Sequence, residues 1–136
     1  MSDAYFLQIP RIILRNGGPE EVLAKMILPT GSYVILAKFN VAAAFGADTH
    51  GQPNISHFYL TYRGERDASY CDLRENGELK TVVLTLAAGI TAQEIARGRA
   101  RPSAVRLVCD GKGQNLEVAH ICITAISVDG VEKLQA

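Results

Sequence analysis

No sign of charge dominates this 136-residue chain: 14 Lys and Arg stand against 14 Asp and Glu, for a formal net charge of zero. That balance argues against a dedicated nucleic-acid binder, which draws its affinity from a basic field that releases counterions. No apolar run approaches the ~18 residues that mark a membrane span. The opening residues MSDAYFLQIPR carry no basic stretch ahead of an apolar core, so no secretory signal is expected in this chain. Closely spaced cysteines are missing too. Cys71, Cys109 and Cys122 form no CxxC pair, which weakens any zinc site, and an odd count cannot close completely within one chain. Small buried hydrophobes are the expectation for them. No low-complexity stretch, linker or internal repeat divides residues 1–136, so a single domain is expected. Paired carboxylates, metal-ligand spacing and a nucleophile–His–acid set are likewise absent from the sequence, so neither an enzyme nor a cofactor is expected.

What is present is alternation and punctuation. Hydrophobic residues make up 48% of the chain, and a domain of this size buries about 68–70% of its unfolded surface, enough for a full core. Residues 5–14 (YFLQIPRIIL) read as a strand, and Pro10, which cannot donate to a ladder, places it on an edge or at a bulge. Residues 20–28 (EEVLAKMIL) fall between two breakers, Asn16 to Pro19 and Pro29 to Gly31, and suit either two helical turns or a strand; the strand is favoured because the span is short for a stable helix. Residues 32–44 put Tyr33, Ile35, Ala37, Phe39 and Val41 on one face and Val34, Leu36, Lys38 and Asn40 on the other. A strand apolar on both sides is covered by a second layer or lies between chains.

Further strands are expected at residues 57–62, 68–73, Leu79–Ala88, 103–109 and Leu116–Val128. The turns between them are 63–67, the Asn76-Gly77 pair suited to a type I′ hairpin, and the Gly-rich run 110–115. Residues 89–102 hold the one helical signal, Thr91 with Glu94 in capping-box spacing. In the last strand, Val118, Cys122, Ile126 and Val128 are expected on one side, and Ala119, Ile121, Ile123 and Ala125 on the other. Turn signals at such short intervals point to an all-β, two-sheet antiparallel sandwich rather than a parallel α/β sheet.

The ordered set LPTGSYVILAK (28–38), TVVLTLAA (81–88), VRLVC (105–109) and VAHICITAISVDGV (118–131) resembles the bacterial relatives of the tumour-necrosis-factor and complement globular-head jelly rolls. The resemblance covers roughly residues 26–131 and implies a TNF-like jelly roll of about eight to ten strands. It also implies a homotrimer that serves as a non-catalytic recognition or display head, with a glycan or protein as its ligand. Relatives often carry a cysteine in the strand after the first long loop, paired with the one in the VRLVC-like strand. HFYLTY at 57–62 has none, which leaves Cys109 unpaired or meeting Cys71 or Cys122.

Plain packing accounts for most of the remaining polar and cysteine positions. His57 and His120 each precede a same-face neighbour by two residues, Tyr59 and Cys122, but lack a third orienting group, as does His50 in its loop. Asp110-Gly111-Lys112-Gly113 lacks both the alternating carboxylates of a calcium loop and the ending of a phosphate loop, and reads as a turn. Arg97, Arg99 and Arg101 read as a solvated strip. Polar loops at the ends of a rigid β-scaffold commonly carry recognition, which singles out residues 45–54 and 63–67. Tyr59 and Tyr62, with Tyr70, are the candidate aromatic platforms for a sugar ring. Asp48, Asn54, Arg63, Glu65, Arg66 and Asp67 are the candidate hydrogen-bonding partners of a lectin-like carbohydrate-binding module, the alternative function.

Overall fold

Strand periodicity is realised along most of the described residues. The computed structural model describes residues 3–15, 20–44, 55–73, 78–98, 101–110, 115–132 and 134. The described residues form strands β1 Ala4–Leu14, β2 Glu21–Leu28, β3 Ser32–Ala43, β4 Ile55–Tyr62, β5 Glu65–Asp72, β6 Leu79–Ala88, β7 Ser103–Asp110 and β8 Leu116–Val128. One short helix, α1 Ala92–Ala96, links β6 to β7, and its Thr91/Glu94 capping box forms as the sequence signal predicts. The expected turns at 16–19, 45–54, 76–77 and 111–114 lie outside the described residues. No helix among the described residues is long and apolar enough to cross a membrane.

The strands build two four-stranded antiparallel sheets, in the orders β1-β8-β3-β6 and β2-β7-β4-β5. The pairing nests: β1 with β8, β2 with β7, β3 with β6, β4 with β5. A long hairpin rolled up on itself produces this order, and it is the jelly roll, a two-sheet sandwich. Alternation then decides the core. Tyr33, Ile35, Ala37, Phe39 and Val41 of β3 all turn inward and meet Phe58, Leu60 and Tyr62 of β4 and Val105 and Leu107 of β7. Removing such apolar surface from water is the main force holding the two layers together.

Two local expectations are corrected. In β8 the alternation skips a beat at His120, a non-glycine residue with φ of 53°. Lys38 pairs with Cys122 but Asn40 pairs with Ala119, so β8 carries one extra residue against β3. This bulge puts Val118 inward with Ile121, Ile123 and Ala125, and Ala119 outward with Cys122 and Ile126, reversing the expected sides for Val118 and Ala119. Pro10 lies on the edge strand β1, between the pairs Ile9–Ile121 and Arg11–Ala119, beside the same bulge, the kind of position a residue without an N–H takes in a sheet. The second correction concerns the expected turn at 63–67. It shrinks to Arg63-Gly64, both with positive φ (48° and 81°), and β5 begins at Glu65 rather than at residue 68. Two residues of that backbone hand match the twist of the flanking strands, so the hairpin closes as tightly as its geometry permits.

Candidate functional site

The outer face of the β2-β7-β4-β5 sheet brings together His57, Tyr59, Arg66, Tyr70 and Asp110. In β4 the pleat sends Phe58, Leu60 and Tyr62 into the core, which leaves His57, Tyr59 and Thr61 outward. Register sets their neighbours. His57 lies between Tyr70 of β5 and Asp110 of β7, and Tyr59 lies between Ala68 and Val108. Thr61 lies between Arg66 and Arg106, and Arg106 in turn faces Lys25 of β2. The face therefore carries an aromatic–imidazole–carboxylate row, a row centred on Tyr59, and a basic row.

The first two rows and Arg66 frame a shallow cleft of about 410 Å³ lined by His57, Tyr59, Arg66, Ala68, Tyr70 and Asp110. Tyr70 is 64% exposed, and its ring centroid lies 6.3 Å from that of His57 with the planes tilted by 46°. Arg66 covers one face of Tyr59, its guanidinium carbon 3.9 Å from the ring centroid, a cation–π contact. The Tyr59 hydroxyl donates to Glu20 Oε1 at 2.5 Å. That bond to a carboxylate, helped by partial desolvation, pushes the Tyr59 phenol above its ordinary range, because ionisation would break the bond and set two anions side by side. The cleft thus offers aromatic faces, a phenol, an imidazole and a carboxylate acceptor without deep burial. Among the described residues no group of three or more His, Cys, Asp or Glu is placed to hold a metal ion.

The other expected site residues divide. Tyr59 and Arg66 come together as described. Tyr62 does not join them: it is 1% exposed and packs edge-on against Tyr33 at 5.9 Å, so it is a core residue and not a platform. Burial raises its phenol pKa, with Arg63 opposing the shift. Arg63 pairs with Glu94 and donates to the Arg101 carbonyl at 3.2 Å, which ties the β4–β5 hairpin to α1. Asp67 accepts the Thr85 N–H at 2.8 Å and joins the edges of the two sheets. Both serve the scaffold. Asp48, Asn54, His50 and Arg99 lie outside the described residues. The three cysteines form no disulfide. Cys71 and Cys109 are buried, and the Cys71 thiol is pushed up by desolvation despite Lys80 nearby, while Cys122 lies on the outside of the opposite sheet. Sequence reasoning missed Glu20, Lys25, Arg106 and Asp110 as members of this face, because only strand register brings them to β4.

A second face stands out on the β1-β8-β3-β6 sheet. Register aligns Ala4, Ile126, Val34 and Ala87 in one outward row, and Phe6, Thr124, Leu36 and Thr85 in the next. Phe6 is 61% exposed and Val83, one row further along, 57%. Polar groups border this patch: Gln8 and Lys38, the Thr81–Asn40 hydrogen bond of 2.9 Å, and the Arg11–Glu117 ion pair at 3.2 Å.

No family model matches the chain, and no curated protein matches it in sequence. Among solved structures the fold is similar to the EclA C-terminal domain, a sugar-binding protein, with a TM-score of 0.52 and 12% identity over 83% of this chain and 76% of that one. It is also similar to a chain of infectious bursal disease virus Gx strain, with a TM-score of 0.53 and 12% identity over 96% of this chain and 39% of that one. A third likeness is to the VP2 subviral particle of infectious bursal disease virus, with a TM-score of 0.51 and 12% identity over 95% of this chain and 33% of that one. The chain therefore spans well under half the length of the viral chains it matches. At this identity the likenesses establish the jelly-roll fold and nothing finer.

Proposed function

We propose that this chain is a non-catalytic recognition head that self-associates through the outer face of the β1-β8-β3-β6 sheet, as a homotrimer, and presents the opposite sheet to a ligand. The observation that carries this reading is the apolar patch of Phe6, Val34, Leu36, Val83 and Ile126, all exposed, on a sheet whose other face already fills the core. Exposed apolar side chains interleaved with Thr85 and Thr124 and bordered by polar groups fit the anatomy of a protein interface, and exposed apolar surface of this kind marks association. Threefold symmetry rests on the resemblance to the tumour-necrosis-factor and complement heads. Leu36→Glu tests the face. A buried carboxylate between subunits is costly, so this variant is expected to elute from gel filtration as a smaller species than the parent with an unchanged far-UV spectrum. Val22→Glu, on the opposite sheet, is expected to leave the parent's elution unaltered. If Leu36→Glu elutes with the parent, the proposed face is wrong.

A lectin-like role on the same fold is favoured by the cleft of Tyr59, Tyr70, His57 and Asp110, and the sugar-binding domain among the similar structures supports it. Aromatic faces pack against the C–H face of a sugar ring while a carboxylate and an imidazole accept its hydroxyls. Glycan-array binding lost in Tyr59→Ala and Tyr70→Ala is the expected result. A blank array with folded parent protein would remove this role.

A further inference from the structure

The basic row at the edge of the cleft joins Arg66, which packs on Tyr59, to Lys25 and Arg106. Lys25 and Arg106 are directly opposed across the β2–β7 ladder, Arg106 is followed by Thr61 and then by Arg66, and all three cations are exposed. Like charges directly opposite one another in a sheet are destabilising. Among the described residues no acidic side chain stands in this row to offset them. Glu20, on the same face, is already bonded to the Tyr59 hydroxyl. Three strand spacings separate Lys25 from Arg66, about 14 Å, so the row is a short strip and not a basic field over a molecule of zero net charge.

Building on the lectin-like role, we propose that the row Lys25–Arg106–Arg66 makes this face a site for an acidic saccharide, one that carries carboxylate or sulfate groups on a hydroxylated ring chain. The rows make opposite demands. The exposed Arg66, its guanidinium carbon 3.9 Å from the Tyr59 ring centroid, supplies N–H donors for an oxyanion, and Arg106 and Lys25 extend that pairing along the strip. Four residues further along β7, Asp110 stands beside His57 and Tyr70 and accepts hydroxyls. A continuous polyphosphate would be repelled by that carboxylate. A saccharide with anionic groups at one end of the face and hydroxyls at the other satisfies both rows, with Tyr59 under the ring between them.

The test is calorimetric titration of the full chain with a galacturonic-acid hexasaccharide, its neutral galactose counterpart and a single-stranded oligonucleotide. The acidic sugar is expected to bind at least about tenfold more tightly than the neutral one, and the preference to collapse at high salt. Arg106→Gln with Lys25→Gln is expected to erase the preference while leaving neutral-sugar affinity in place. The charge-retaining exchange Arg106→Lys with Lys25→Arg is expected to preserve it. Equal affinity for the two sugars overturns this inference and leaves the lectin-like role standing. No binding of either sugar overturns both. Tighter binding of the oligonucleotide than of the acidic sugar also overturns it, in favour of a polyphosphate ligand.

Discussion

Phe39 of β3 and Phe58 of β4 meet across the middle of the sandwich, with ring centroids 5.0 Å apart and planes at 56°. Each comes from a different sheet and neither is exposed, so the pair joins the two layers. Phe39→Ala or Phe58→Ala is expected to cost about 3–5 kcal/mol in urea unfolding. The double variant is expected to cost less than the sum, by about 0.5–1.5 kcal/mol, because the ring–ring contact is lost only once. Strict additivity would mean that the rings do not interact.

Gly89 follows β6 and lies against Ser32. A Cβ built on it falls 2.0 Å from Ser32 Oγ and 2.5 Å from Ser32 Cβ, and Ser32 is itself buried. Gly89→Ala is therefore expected to lower stability by about 1–3 kcal/mol, the usual cost of overpacking, read as a drop in melting temperature. Adding Ser32→Gly is expected to recover part of the loss. An unchanged melting temperature in Gly89→Ala would show that the approach is looser than described.

Alkaline pH acts on the buried phenols. Burial raises Tyr33 and Tyr62 above the ordinary value of 10.0, Tyr5 and the other phenol adding to the shift at Tyr33. Between the unfolded and folded values the native state holds more protons than the unfolded one. Stability is therefore fully present below about pH 10 and falls as pH rises further. Tyr62→Phe is expected to flatten that fall. It should cost only about 0.5 kcal/mol at neutral pH, since the Tyr62 hydroxyl reaches the Gly31 carbonyl only at 3.4 Å. An equally steep alkaline loss in Tyr62→Phe would place its cause elsewhere.

Glu20→Gln removes the charged acceptor of the Tyr59 hydroxyl. The Tyr59 phenol is then expected to titrate closer to its ordinary value, followed by NMR of ring-labelled tyrosine. Identical titration in both proteins would show that the bond is not populated in solution.

Cys122 provides a reporter for the proposed interface. It is half-buried on the outward side of β8, in the row with Lys38 and Val83, whereas Cys71 and Cys109 are buried. In dilute protein Cys122 is expected to react first with a thiol reagent. Its rate is expected to fall as protein concentration rises and neighbouring subunits cover the face. A rate independent of concentration would argue that Cys122 lies outside the contact.

The strands were legible because the pleat writes itself into the sequence as period-two alternation, and Leu79–Ala88 and Leu116–Val128 are found with the expected bounds. Alternation assumes an unbroken ladder, however, and nothing in VAHICI announces the extra residue that turns Val118 inward. Pro10 was the available hint, since it signals an edge or a bulge, but it lies on the neighbouring strand. The site was half legible. Tyr59 and Arg66 are two rungs of one hairpin, and their type already suggested a platform and a donor. Tyr62 was not legible, because a tyrosine beside a turn looks the same in sequence whether its ring faces solvent or Tyr33. Lys25, Arg106 and Asp110 could not be placed at all, because which strand lies beside β4 is a property of the rolled topology and of no local stretch.

Sedimentation equilibrium on the unmodified chain at micromolar concentration tests the central claim most directly. A mass three times that of the 14.7 kDa protomer is predicted, with dissociation to single protomers in Leu36→Glu. A parent protein that sediments as a single 14.7 kDa species would contradict the account.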